Sequence, residues 1–227
     1  LGQGITNAVG LSVASHFIAA KFNKPDIELF NHKVWVIASD GDMMEGISSE
    51  AASFAGHQKL DNLIVFYDCN HITIDGNTDI TFTEDVAARF RSFGWYTLKV
   101  KNANEDFKEI ESTINKALKV KDQPVLIVLN TTIGYGSVMA DTPKVHGSPL
   151  NDEQLAAIKK KFGFNPEEFF KVPKEAYDYY AKAYQKVTKK VEEWNQKYEE
   201  YQKKYPEDFK LLKSIIEGDF KYEDFNS

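Results

Sequence analysis

Val34-Trp35-Val36-Ile37-Ala38-Ser39-Asp40-Gly41 and Leu63-Ile64-Val65-Phe66-Tyr67-Asp68-Cys69-Asn70 decide the fold. Each is an apolar run that ends on a side-chain oxygen donor, Asp40 in one and Asn70 thirty positions later. Val34–Ala38 reads as a buried strand and Asn62–Tyr67 as the next, each followed by turn residues. Between them, Glu45 to His57 is an Ala- and Ser-rich stretch that reads as a helix. A strand–helix–strand unit makes the two strands parallel, so their carboxyl ends share one sheet edge, where open α/β sheets bind ligands. A carboxylate and a carboxamide are thereby delivered to one crevice. Both are hard oxygen donors suited to Mg²⁺ or Ca²⁺, and a divalent ion there would neutralise a phosphate. Gly41, lacking a side chain, lets backbone approach that phosphate closely.

The same alternation continues along the chain. Residues 2–21 read as a helix whose Gly4, Ala8, Gly10, Ala14, Ala19 and Ala20 allow close packing. Residues 83–92 read as a short helix with Thr83 as its N-cap, 96–100 as a strand, and 105–120 as an amphipathic helix. The run 124–130 is a strand buried on both faces. The fold class is therefore α/β, a doubly wound parallel sheet flanked by helices. Composition shifts after Pro149. Residues 151–162 read as a capped helix, and 173–205 as a long, charged helix carrying Tyr177, Tyr180, Tyr184, Trp194, Tyr198 and Tyr201. That aromatic stripe is expected to pack on the domain, with a surface for another chain as the alternative. The division expected is a diphosphate- and metal-binding domain over 1–150, a helical extension packing on it over 151–217, and a tail or linker over 218–227.

Among 227 residues the hydrophobic fraction is 42%, enough for a large α/β domain. A formal charge of −6 offers no basic footprint for nucleic acid. No stretch approaches the about 18 apolar residues of a membrane span, and no secretory leader is visible. A single cysteine, Cys69, excludes an internal disulfide and fits a reducing, cytoplasmic setting. Cys69 reads as a buried structural thiol, and His16, His32, His57 and His71 as surface or packing residues. No nucleophile elbow, phosphate-binding P-loop or zinc-ligand cluster is legible.

The spacing Asp40-Gly41, then thirty residues, then Asn70 resembles the signature of thiamine-diphosphate enzymes. The resemblance extends further. Leu1-Gly2-Gln3-Gly4-Ile5, Met44-Glu45-Gly46-Ile47-Ser48, Ile72-Thr73-Ile74-Asp75-Gly76, Thr132-Ile133-Gly134-Tyr135-Gly136-Ser137 and Val145-His146-Gly147-Ser148-Pro149-Leu150 follow in the order seen in transketolases. The match runs from Leu1 to about Pro206. It implies thiamine diphosphate as cofactor with Mg²⁺ (or Ca²⁺), held by Asp40, Asn70 and the backbone carbonyl of Ile72. It implies that Gly41 offers its amide to the diphosphate, and that Leu1, Gly2 and Ile133 line the cofactor. His146 is implied to contact both diphosphate and substrate, and Glu45 to meet its counterpart across a homodimer. The implied reaction moves a two-carbon ketol unit from a ketose phosphate to an aldose phosphate, in the pentose phosphate pathway.

Two positions depart from the family pattern. Ser39 stands where glycine is usual, which would cost about 1 kcal/mol if the position required a positive φ. Asp42 stands where an uncharged residue is commoner, and is harmless beside an anion only if it points to solvent. The chain begins at Leu1, and the resemblance implies that further histidines and the pyrimidine-binding domain of the other subunit complete the site. The expectation is a piece inactive alone. Dihydroxyacetone synthase, other thiamine-diphosphate enzymes and a non-catalytic partner retaining the fold stay open as alternatives.

Overall fold

The computed structural model describes residues 1–219; of the expected tail, 220–227 lie outside the described residues. Helix α1 (Gln3–Phe22) precedes strand β1 (Val34–Ser39), which is followed by α2 (Asp40–Met44) and α3 (Gly46–His57). Strand β2 (Leu63–Cys69), helix α4 (Val86–Ser92), strand β3 (Tyr96–Val100), helix α5 (Phe107–Ala117) and strand β4 (Val125–Asn130) complete the sheet unit, with α6 (Asp152–Lys161) after it. Helices α7 (Lys174–Lys204) and α8 (Pro206–Glu217) come last.

All strand pairs are parallel, in the order β1-β2-β4-β3. Parallel strands alternate side chains between two faces, and both faces are covered. On one, Leu63, Val65 and Tyr67 of β2 and Leu126 and Val128 of β4 pack with Ile5, Ala52, Ala55, Phe90 and Trp95. On the other, Ile64, Val125 and Ile127 pack with Ile110, Ile114 and Ala117 of α5. Steps from β1 to β2 and β2 to β3 thus cross on one face and the return to β4 crosses on the other, as right-handed crossovers require. The doubly wound arrangement follows. Trp35 and Ile37 of β1 face the α5 side and stay exposed at 42% and 75%.

The expected bounds hold to within one residue for α1, α3, α6 and α7; α5 is shorter than 105–120, α2 and α8 lie outside the expected helices, and α4 starts later than expected. There the cap is Asp85, whose carboxylate accepts the Ala88 amide at 2.9 Å, and not Thr83. A carboxylate at the positive helix end outcompetes a hydroxyl two residues earlier. Asp106 and Asn151 cap α5 and α6 as sequence patterns of this kind do, the latter in a capping box with Gln154.

The chain forms two compact units, one of residues 1–14 and 32–169, the other of 15–31 with the described residues from 170 onward. The second unit has its own core of Phe22, Ile27, Leu29, Tyr201, Phe209 and Leu212. Asn23 fixes its loop, accepting the Leu29 and Phe30 amides at 2.9 Å each. Trp194 donates its indole N–H to the Leu29 carbonyl at 2.9 Å and stacks on Tyr198. The aromatic stripe of α7 is therefore packed only in its C-terminal half. Tyr177, Tyr180 and Tyr184, which the spacing expected to be covered, are exposed, because the short core partners 27–30 and α8 reach only the last turns.

Candidate functional site

The β1–β2 register pairs Ala38 with Tyr67 and Ser39 with Asp68, so the chain leaves β1 at the level where β2 is ending. Asp40, the first residue of α2, is 1% exposed. Its Oδ1 accepts the Tyr67 hydroxyl at 2.5 Å, and its Oδ2 accepts the Asn70 and His71 amides at 3.1 and 2.9 Å. A buried charge persists only when paired or hydrogen-bonded, and three donors do this here. Burial and the adjacent carboxylate push the Tyr67 phenol far above its ordinary range. Arg89 Nη2 donates to the Met43 carbonyl at 2.7 Å and so pins the end of α2.

Asn70 is turned by its own neighbours. Its Oδ1 accepts the Ile72 amide at 3.0 Å, while its Nδ2 faces Asp68 Oδ2 at 3.5 Å. Asp68 is in turn held by the Thr131 hydroxyl. Ile72 bridges Asn77 antiparallel, and the two bonds of that bridge use the His71 and Gly76 carbonyls, so Ile72's own carbonyl stays out of it. The donor set fits a hard divalent cation. Asp40 Oδ1 and Asn70 Oδ1 each accept one bond and keep a lone pair, and the Ile72 carbonyl is uncommitted within its bridge. The two side chains open differently. Asp40 lines a cavity of about 590 Å³ with Tyr67, Cys69 and His71, whereas Asn70 lines one of about 530 Å³ with Ile37, Phe66, Leu129 and Ile133.

Gly2 has φ 72°, and a Cβ there would meet Ser48 Oγ at 2.7 Å and Ile47 Cγ2 at 2.9 Å, so only glycine fits. Its amide donates to Asp42 Oδ1 at 3.0 Å. Asp42 Oδ2 accepts the Ser39 amide at 2.9 Å and the Ser39 hydroxyl at 3.1 Å. Burial alone would raise the Asp42 carboxyl, but bonds from the Gly2 and Ser39 amides overcome it and hold it below its ordinary value. Asp42 thus points back into the loop, not to solvent. Ser39 has φ −117°, so the anticipated left-handed strain is absent.

Gly41 is exposed, and a Cβ added to it would meet nothing within 4 Å, so the space beside its Cα is open. Glu45 lies between α2 and α3, its amide bonded to the Asp42 carbonyl and its carbonyl to the Ser48 amide. Leu1 is 84% exposed. Ile133 shares the Asn70 cavity. His146 follows a single 3-10 turn, exposed, with its amide on the Pro143 carbonyl; no hydrogen bond among the described residues joins it to Asp40 or Asn70.

Sequence reasoning missed three participants. Tyr67 was visible only as a strand residue, although alternation puts it on the face of Cys69 and toward Asp40. Cys69, expected as a buried structural thiol, and His71, expected as a surface or packing residue, lie together, with Cys69 Sγ and His71 Nε2 3.5 Å apart. Burial pushes the Cys69 thiol up. His71 is exposed and has φ 60°, a left-handed conformation unusual for a residue with a side chain.

Comparison with known proteins places the chain in a family. The family model described as "Transketolase, thiamine diphosphate binding domain" matches residues 1–221. The transketolase of Kluyveromyces lactis is 51% identical over 175 residues, covering 77% of this chain and 26% of that protein. Transketolase 1 of Saccharomyces cerevisiae is 52% identical over the same share of each. The chain thus spans about a quarter of the length of these curated relatives. Among solved structures, a Pichia stipitis transketolase in complex with sedoheptulose 7-phosphate superposes with a TM-score of 0.94 at 44% identity, over 96% of this chain and 32% of that one. A Leishmania mexicana transketolase gives 0.96 at 36% identity, over 98% and 33%. The chain belongs to the transketolase family, within its thiamine diphosphate binding domain.

Proposed function

We propose that this chain supplies the diphosphate- and metal-binding half of a transketolase site, serving transfer of a two-carbon ketol unit from a ketose phosphate to an aldose phosphate. The observation that carries the reading is the Asp40 anchor: a carboxylate held by the Asn70 and His71 amides beside an Asn70 oxygen with a spare lone pair and an Ile72 carbonyl left out of its bridge. Asp40, Asn70 and Ile72 would hold Mg²⁺ or Ca²⁺, which neutralises the diphosphate. Thiamine diphosphate, when bound, supplies the carbanion-stabilising chemistry that no side chain offers.

The protein's own groups bind and orient. Gly41 would present its amide to the diphosphate, Gly2 would bring backbone close, and Leu1 and Ile133 would offer apolar contact to the thiamine. Imidazole can donate to an anion or carry a proton near neutral pH, which suits His146 to diphosphate and substrate. Glu45, set at the junction of α2 and α3, would meet its counterpart in a homodimer, where the pyrimidine-binding domain of the other subunit completes the site. Turnover is therefore proposed to need residues beyond these 227. Among the described residues no helix is long and apolar enough to cross a membrane, and a cytoplasmic location is part of the reading.

The test is calorimetric titration of thiamine diphosphate into the purified full-length gene product, with Mg²⁺ and after chelation, for the wild type and Asp40→Ala. Binding that needs Mg²⁺ and is lost in Asp40→Ala, together with ketol transfer between xylulose and ribose phosphates, is expected. Undiminished binding in the variant would refute the metal assignment.

A further inference from the structure

The cavity beside Asp40 carries a second donor set of different chemistry. One ligand atom from each of Asp40, Cys69 and His71 lies within 4.8 Å of the other two. The Cys69 Sγ to His71 Nε2 distance is 3.5 Å. A tetrahedral ion with bonds of about 2.0–2.3 Å spaces its ligands by about 3.5 Å, so this pair already has the required separation. The His71 residue is exposed, and its amide donates to Asp40 Oδ2 at 2.9 Å, which ties the root of the side chain to the carboxylate. The left-handed backbone at His71 is what turns the chain at this point.

Oxygen donors alone suit Mg²⁺, but a thiolate with an imidazole selects softer ions. We propose that Asp40, Cys69 and His71 form a site for a thiophilic divalent cation of the Zn²⁺ class, with the fourth position open to water from the 590 Å³ cavity. Binding replaces the thiol proton, which leaves to water, and uses neutral imidazole. Neither oxidation nor reduction is involved. Asp40 is common to this set and to the hard-ion set, so an occupied soft site weakens Mg²⁺ binding; that consequence rests on the proposed function, whereas the soft site itself does not.

The test uses the purified full-length gene product without cofactor. Zn²⁺ affinity is measured by competition with a chromogenic chelator, and Co²⁺ serves as a spectroscopic probe. One Zn²⁺ per chain is expected, with a thiolate-to-Co²⁺ charge-transfer band in the near ultraviolet. Cys69→Ser should abolish the band. Loss of an outer partner of a metal costs about 10–100-fold in affinity, so Cys69→Ser and His71→Asn, each removing a ligand itself, should weaken Zn²⁺ at least about tenfold. Asn is chosen because it tolerates the left-handed backbone. Absence of the band in the wild type, or equal Zn²⁺ affinity in wild type and both variants, would overturn the proposal. Since no thiamine diphosphate is present, failure of the cofactor reading would leave either result interpretable.

Discussion

Replacing Tyr67 by Phe removes one atom from the centre of the site and should have a definite cost. The hydroxyl donates to Asp40 Oδ1 at 2.5 Å, and Tyr67 and Asp40 are 3% and 1% exposed. A hydrogen bond to a charged group contributes about 1.5–3 kcal/mol net. Phe keeps the ring volume, so no cavity term of consequence is added. Asp40 retains the Asn70 and His71 amides and is not stripped of partners. The loss therefore falls in the lower part of that range, about 2 kcal/mol, or about 4–8 °C in Tm for a chain of this size. Urea unfolding followed by tryptophan fluorescence should show a lower midpoint at unchanged slope. A second arm isolates the pair. In an Asp40→Ala background the Tyr67 hydroxyl loses the carboxylate and keeps only the weaker Cys69 sulfur, so Tyr67→Phe should there cost much less than in the wild type. The same loss in both backgrounds, or a loss below about 0.5 kcal/mol in the wild type, would refute the argument that this bond anchors Asp40.

Asp42→Asn should destabilise the protein near neutral pH and cease to matter in strong acid. The Gly2 and Ser39 amides hold the folded carboxyl below its ordinary 3.8, so its contribution is present above the unfolded value and disappears as pH falls through the folded one; unfolding curves of wild type and variant from neutral pH down into strong acid should converge at the acid end. Gly2→Ala should cost about 2 kcal/mol or more, about 1–2 from the left-handed backbone alone and the rest from contact with Ser48 Oγ, and thermal unfolding measures it. Leu212→Ala, in the core of the second unit at 1% exposure, should cost about 2–5 kcal/mol, read as faster hydrogen exchange in residues 15–31 and in α7 and α8.

The sheet was legible because its strands are continuous apolar runs whose ends are marked by polar residues: Val34–Ser39 and Leu63–Cys69 form where the pattern places them. The pairing order was not, since nothing in the runs says that β4 inserts between β2 and β3. At the site, Asp40 and Asn70 were legible as strand-end donors, but the way they are held was not. Asp40 depends on a phenol from the facing strand and on two amides about thirty residues away, and such partners become neighbours only once the register is fixed. The half-packed stripe of α7 failed for a related reason. Helical periodicity identifies a face but not the length of what covers it, and the covering elements here reach Trp194 and Tyr198 but not Tyr177.

Ser39 and Asp42 look like two separate departures when the chain is compared with its family pattern, and two separate departures would suit a site losing its cofactor. The structure makes them one device. A single carboxylate takes the Ser39 amide and hydroxyl on one oxygen and the Gly2 amide on the other, joining the loop after β1 to the turn that begins the chain. An uncharged residue at 42 would leave those donors without this acceptor, and glycine at 39 would remove one of them, so the two positions are coupled by contact. Neither carries the cost foreseen for it: Ser39 is extended at φ −117°, and the Asp42 charge is consumed by donors within the loop. The bonds tie together the two segments proposed to meet the cofactor, as a binding loop requires.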